Sequence, residues 1–137
     1  MNPDQLDLAR RLAAHSRFEL RAGMSMRTRY GKLWRVTFIM GDGTIHFATG
    51  SHASFRREAA LVMEQEDCPD LTDAATGGVL WEMAGKPQSA TYPDETMVWT
   101  AIGVRAGGAT MAEACARLLL AKWETTPATP ETTERGD

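Results

Sequence analysis

Residues 71–85 read LTDAATGGVLWEMAG, and their reading decides how the rest of the chain is arranged. Thr72 stands where a helix N-cap belongs, and Asp73 complements the positive end of the helix that follows. Ala75, Val79, Leu80 and Met83 fall on one side at helical spacing, with Trp81 flanking them. Gly85 is placed to stop the helix. Gly77 and Gly78 each weaken a helix by about 1 kcal/mol relative to Ala, so their presence predicts close approach of another element. One helix-then-hairpin pattern precedes this stretch, and a second begins with it.

Downstream, 86–95 holds Pro87 and Pro93 and reads as loop, with a short edge strand around Ala90–Tyr92. Residues 97–105 alternate: Val98, Thr100, Ile102 and Val104 share one side, Met97, Trp99 and Ala101 the other. Both sides are largely apolar, which predicts a central strand covered on both faces. Gly107-Gly108 is expected to turn the chain. Thr110-Met111-Ala112-Glu113 then forms a capping box. Met111, Ala114, Cys115, Leu118 and Leu119 make the buried stripe of a last helix ending near Trp123.

Upstream, Asn2 caps a helix over 3–15, with Pro3 at its first position and Gln5 completing a capping box. His15 near its end suits the negative helix terminus. Residues 33–40, LWRVTFIM, and 44–49, TIHFAT, flank Gly41-Asp42-Gly43 and predict a hairpin. Ser51 or Ser54 is then expected to cap a third helix carrying Phe55, Ala59, Val62 and Met63, with His52 near its start. Pro69 breaks the chain before residue 71. The expected order is α-β-β-α-α-(β)-β-α. This is an α+β fold, a mostly antiparallel sheet with helices packed on it in an α/β/α layered sandwich.

The chain has 137 residues, 43% hydrophobic and 24% charged, enough for one core without staples. A single domain is expected over 1–124. Residues 125–137 are Thr/Pro-rich, lack large apolar side chains, and are expected to form a disordered tail. Cys68 and Cys115 are too few for a disulfide framework or a four-ligand zinc site, which fits a reducing compartment. The opening residues are charged rather than apolar, and no apolar run approaches the ~20 residues of a membrane span. A soluble cytoplasmic protein without a membrane role is expected.

Charge is distributed unevenly. Through Ala60 the chain has 10 basic and 5 acidic residues; the remainder has 5 and 13. Either the surface has two faces of opposite sign, or the halves interleave in space. Within the basic half, Arg27, Arg29, Lys32 and Arg35 are interleaved with Tyr30 and Trp34, and no acid lies between Met24 and Gly41. Three readings stay open: a solvated loop with Trp34 in the core, a surface for an acidic protein partner, or phosphate contacts with base stacking.

Other chemistry is weakly signalled. Gly103, Gly107 and Gly108 precede a helix but lack the Lys of a P-loop and the third Gly of a dinucleotide fingerprint. His46 lies across a turn from Asp42, without a nucleophile elbow anywhere in the chain. Glu64, Glu66, Asp67, Asp70 and Asp73 are a cluster that could hold a hard cation or simply solvate helix ends. No catalytic residue, metal ligand or cofactor is assigned.

The segments PDLTDAATGGVLWEMAG and GGATMAEACARLLLAKW resemble proteins carrying a phage ABA sandwich domain, across 69–123. Those proteins tend to have Pro where this chain has Ala74, and larger apolar residues at Gly77-Gly78. The resemblance implies layered helices and sheet in a phage setting, and it carries over no catalytic residues. The chain's ending is also similar to double-stranded-RNA-binding domains and HicB-like antitoxins, which close on a hairpin and a capped helix. The start of that helix here is neutral or acidic, against RNA contact through it. The function expected is that of a small non-enzymatic accessory protein that binds a host or phage protein. Inhibition of a host defence protein is the purpose the phage setting suggests. The alternatives are a nucleic-acid-binding module and a HicB-like antitoxin-type binding domain. The Met- and Trp-rich strands would also suit a homo-oligomer. The partner-binding or nucleic-acid-binding residues expected are Arg27, Arg29, Tyr30, Lys32 and Arg35.

Overall fold

The computed structural model describes residues 1–49 and 53–125. Helix α1, Pro3–Ala14, starts at Asn2, whose side chain accepts the Gln5 N–H at 2.8 Å, while Gln5 Oε1 accepts the Asn2 N–H at 2.9 Å. Both halves of the capping box therefore form. The chain then builds β1 (Ser25–Arg27), β2 (Leu33–Ile39), β3 (Thr44–Thr49), β4 (Ala53–Glu58), α2 (Ala59–Glu64) and β5 (Cys68–Pro69). These strands make one antiparallel sheet in the order β4-β3-β2-β1-β5. Helix α3 (Ala74–Met83) leads to a second antiparallel sheet, β6 (Gln88–Thr91), β7 (Thr96–Trp99) and β8 (Arg105–Gly108), and α4 (Met111–Thr125) closes the fold. The class is α+β, helices on antiparallel sheets.

The core runs through both sheets and their helices. Trp34, Val36, Ile45 and Phe47 come from the first sheet, Val98 from the second, Leu8 and Leu12 from α1, and Leu118 and Leu119 from α4. The two N-terminal helix ends are tied together, because Gln5 Nε2 donates to Glu113 Oε1 at 3.0 Å.

Four sequence expectations are corrected. The third helix does not begin near Ser54. Residues 53–58 are instead a strand paired with β3 from Thr44↔Glu58 to Thr49↔Ala53, and only 59–64 are helical. The apolar spacing at Phe55, Ala59 and Val62 fits a helix, but β3 has a second edge whose N–H and C=O groups need partners. His52 lies outside the described residues, as does the expected tail beyond Thr125. Residues 97–105 are not one strand. The chain turns at Thr100–Gly103, with Gly103 N–H on Thr100 O at 3.1 Å and Gly103 at φ +92°. Ile102, expected on an apolar strand face, is 85% exposed at that turn. Gly107 and Gly108 do not turn the chain; they lie in β8, opposite Met97 and Thr96. The helix cap near residue 72 moves by one position. Asp73 is the N-cap of α3, accepting the Thr76 N–H at 2.8 Å, while the Thr72 hydroxyl bonds Asp70.

Gly77, Gly78 and Gly108 differ in what a side chain would meet. A Cβ at Gly108 would lie 2.7 Å from Glu113 Cβ and 2.9 Å from the Ala114 nitrogen, so β8 seats on α4 only without a side chain there. A Cβ at Gly77 would lie 3.2 Å from the Ala112 nitrogen, which is the predicted close approach, between α3 and α4. Gly78 meets nothing within 4 Å. Gly78→Ala is therefore expected to stabilise the protein by about 0.5–1 kcal/mol, and Gly108→Ala to destabilise it by roughly 1–3 kcal/mol. Chemical denaturation midpoints read both, and equal signs would contradict this packing.

Candidate functional site: a basic hairpin tip and a buried carboxylate

The loop joining β1 to β2, residues 28–32, is a turn built on Thr28. Thr28 N–H bonds Lys32 O at 2.8 Å, Gly31 N–H bonds Thr28 O at 2.9 Å, and the Thr28 hydroxyl accepts the N–H groups of Tyr30 and Lys32. Gly31 takes φ +87°, a conformation that glycine adopts without strain. This geometry projects Arg29, Tyr30 and Lys32 into solvent, and Tyr30 is 77% exposed. Arg29 lies over the Tyr30 ring, 5.0 Å from its centroid, and donates to its hydroxyl at 3.0 Å. Arg27, opposite Leu33 in the register, stands at the base of the tip beside Leu33, which is 51% exposed.

Arg35 and Trp34 do not join them. Arg35 forms a two-pronged pair with Asp73, at 2.9 and 3.1 Å, and also donates to Gly23 O at 2.7 Å. The pair raises the guanidinium pKa and lowers that of the Asp73 carboxyl, which also accepts from Thr76. Arg35 thereby fastens β2 to the start of α3. Trp34 is buried, so it offers no stacking surface.

Trp34 has a different partner. Its indole N–H donates to Asp67 Oδ2 at 2.9 Å, and Arg57 Nη1 donates to the same oxygen at 3.0 Å. The Arg57 guanidinium lies over the rings of Trp34 and Phe47, 5.5 and 5.2 Å from their centroids. Asp67 is 1% exposed, and its Oδ1 has no hydrogen-bond partner among the described residues. Burial pushes the carboxyl upward, and the donors from Trp34 and Arg57 oppose that only in part. Glu66, just before it, holds a left-handed φ of +62°. Both residues line a cavity of about 650 Å³ between the end of α1 and α2, with Arg10, His15, Phe18 and Met63. His15 Nδ1 accepts the Arg17 N–H at 3.1 Å, which leaves the ring proton on Nε2, and the ring lies 4.8 Å from that of Trp123.

Sequence reasoning placed Asp67 only within the acidic cluster. That cluster does not converge: Asp67 pairs with Arg57, Asp70 bonds Thr72 and Asp73 pairs with Arg35. Among the described residues no group of three or more His, Cys, Asp or Glu is arranged to hold a metal ion. The signal that could have found the site is Trp34, since a buried indole N–H requires an acceptor. Ion pairs Arg11–Glu124, Arg35–Asp73 and Arg57–Asp67 each join the basic half to the acidic half, so the halves interleave.

The remaining candidates are accounted for locally. His46 Nε2 meets Met40 Sδ at 3.1 Å and its ring packs edge-on to Phe38, while Asp42 accepts the Thr44 N–H, which lowers its pKa. Gly107 and Gly108 are packed strand residues rather than a phosphate loop. Burial pushes the thiols of Cys68 and Cys115 up to about 11 and about 12, out of the reactive range. Among the described residues no helix is long and apolar enough to cross a membrane. No protein-family model, curated protein or solved structure matches the chain.

Proposed function

We propose that this chain is a non-enzymatic binding protein that engages an acidic protein surface through the β1–β2 tip: Arg27, Arg29, Tyr30, Lys32 and Leu33. The observation that carries the reading is the tip itself. It presents exposed cations around an exposed Tyr and Leu, and among the described residues none of Arg27, Arg29 or Lys32 pairs with a carboxylate. Tyr and Arg are the residue types that dominate protein interfaces, and an Arg held against a Tyr ring loses less freedom on docking. A nucleic-acid surface is less well supported, because Trp34 is internal and one aromatic makes a poor stacking platform. The phage setting implied by the resemblance makes a host protein, such as one acting in defence, the expected class of partner.

A pull-down from host lysate tests this. Arg29→Ala combined with Tyr30→Ala is expected to weaken the captured partner at least about 30-fold. Arg35→Ala, measured below its unfolding temperature, is expected to leave the affinity unchanged. Retention of every partner by the double variant would refute the tip. Binding of duplex or single-stranded nucleic acid at low salt, falling steeply as salt rises, would replace the protein partner with a nucleic acid.

A further inference from the structure

The geometry points to a second site, independent of the tip: the cavity between α1 and α2 binds a small organic amine with an apolar body, whose ammonium group donates to Asp67 Oδ1. The volume of about 650 Å³ lies within the range of small-molecule pockets, roughly 300–1,000 Å³. Phe18 and Met63 supply apolar wall, and Asp67 and Glu66 supply carboxylates. Asp67 Oδ1 is a buried acceptor that the described protein groups leave unpaired, although the same carboxylate takes two donors on Oδ2. A buried acceptor without a donor is destabilising, and a donor entering the cavity removes that penalty.

Charge selects the kind of donor. Arg57 matches one of the two carboxylates, and among the described residues Glu66 has no cation within salt-bridge distance. A ligand ammonium balances the second. Arg10 also lines the cavity, and like Glu66 it is exposed, so solvent screens both of these charges and the buried Asp67 acceptor dominates the choice of donor. A carboxylate ligand would face Asp67 and Glu66 with only the solvent-screened Arg10 in its favour, and a neutral alcohol would donate to Asp67 without bringing a positive charge to the carboxylates.

The test is titration of the full chain by ¹H–¹⁵N NMR with phenethylamine, phenethyl alcohol and 3-phenylpropionate. Phenethylamine is expected to saturate and to shift the Trp34 indole N–H, which shares the Asp67 carboxylate, with the alcohol and the carboxylate at least about tenfold weaker. Asp67→Asn and, separately, Glu66→Gln should weaken the amine; Glu66→Gln serves if Asp67→Asn does not fold. Ala14→Trp, which fills the cavity from α1 without touching the Asp67 donors, should abolish binding. Equal or tighter binding of 3-phenylpropionate, no saturable shift with the amine, or unchanged affinity in Ala14→Trp would each overturn the assignment.

Discussion

Arg57→Ala is expected to destabilise the fold by about 3–5 kcal/mol at neutral pH, because it leaves the Asp67 carboxylate buried without its cation. Asp67 is 1% exposed and already carries one unpaired oxygen. Removing Arg57 also strips a guanidinium from the faces of Trp34 and Phe47. The pH dependence has a definite sign. Burial raises the folded pKa of Asp67 above its unfolded value of about 3.9. Such a group supports the native state fully below the unfolded pKa, and that support is lost as pH rises through the folded pKa. Without Arg57 the folded pKa rises further, so the penalty grows over a longer span above about pH 4. The gap between variant and wild type should therefore narrow as pH falls toward 4, read from urea midpoints at several pH values. Arg57→Leu with Asp67→Asn should recover much of the loss, since both charges then leave the interior together. A gap that widens on acidification, or a loss under about 1 kcal/mol at pH 7, would mean that water reaches the carboxylate through the cavity.

What could be read from the sequence was what neighbouring residues decide. The Asn2/Gln5 box, the turn at Gly41-Asp42-Gly43 and the stop at Gly85, which takes φ +87°, are each settled within a few positions. The cluster at 27–32 was legible as a run of cations without an acid, but its exposure is settled only by the turn built on Thr28. The failures are where a distant strand or helix chooses. Residues 53–58 are extended because β3 offers an edge. Residues 100–103 break the alternation because β8 folds back on β7, and Gly103 was the sign of it. The two sites divide in the same way. Arg29, Tyr30 and Lys32 stand together because they share a turn. Asp67, Trp34 and Arg57 are 10 to 33 positions apart and meet only once β2, β4 and the end of α2 are assembled. Arg35 was read with the tip by proximity in the chain, yet its register opposite Ser25 sends it to α3.

That register makes Asp73 the second large effect. Asp73→Ala is expected to lose about 2–4 kcal/mol, the sum of a helix cap and a buried hydroxyl left without its acceptor. The carboxylate accepts the Thr76 N–H at 2.8 Å and the Thr76 hydroxyl at 2.9 Å, and Thr76 Oγ1 in turn accepts the Ser25 N–H at 2.8 Å. One side chain therefore starts α3 and locks it to β1, while its pair with Arg35 adds β2. The Arg35 contribution is the smaller part, because that side chain is 43% exposed and solvent screens the pair. Arg35→Ala should accordingly cost less than Asp73→Ala, and Asp73→Asn, which keeps an acceptor for Thr76, should fall between them. The hydrogen bond from Arg35, with those from Thr76, holds the folded pKa of Asp73 below its unfolded value. Its stabilisation is thus complete above about pH 3.9 and is lost as pH falls through the folded pKa. The acid limb of the stability curve should be shallower in Asp73→Ala than in wild type, with the gap closing below about pH 3.9, whereas the gap at Arg57→Ala closes above about pH 4. Parallel acid limbs in the two proteins would show that the pairing with Arg35 contributes nothing to holding α3 on the sheet.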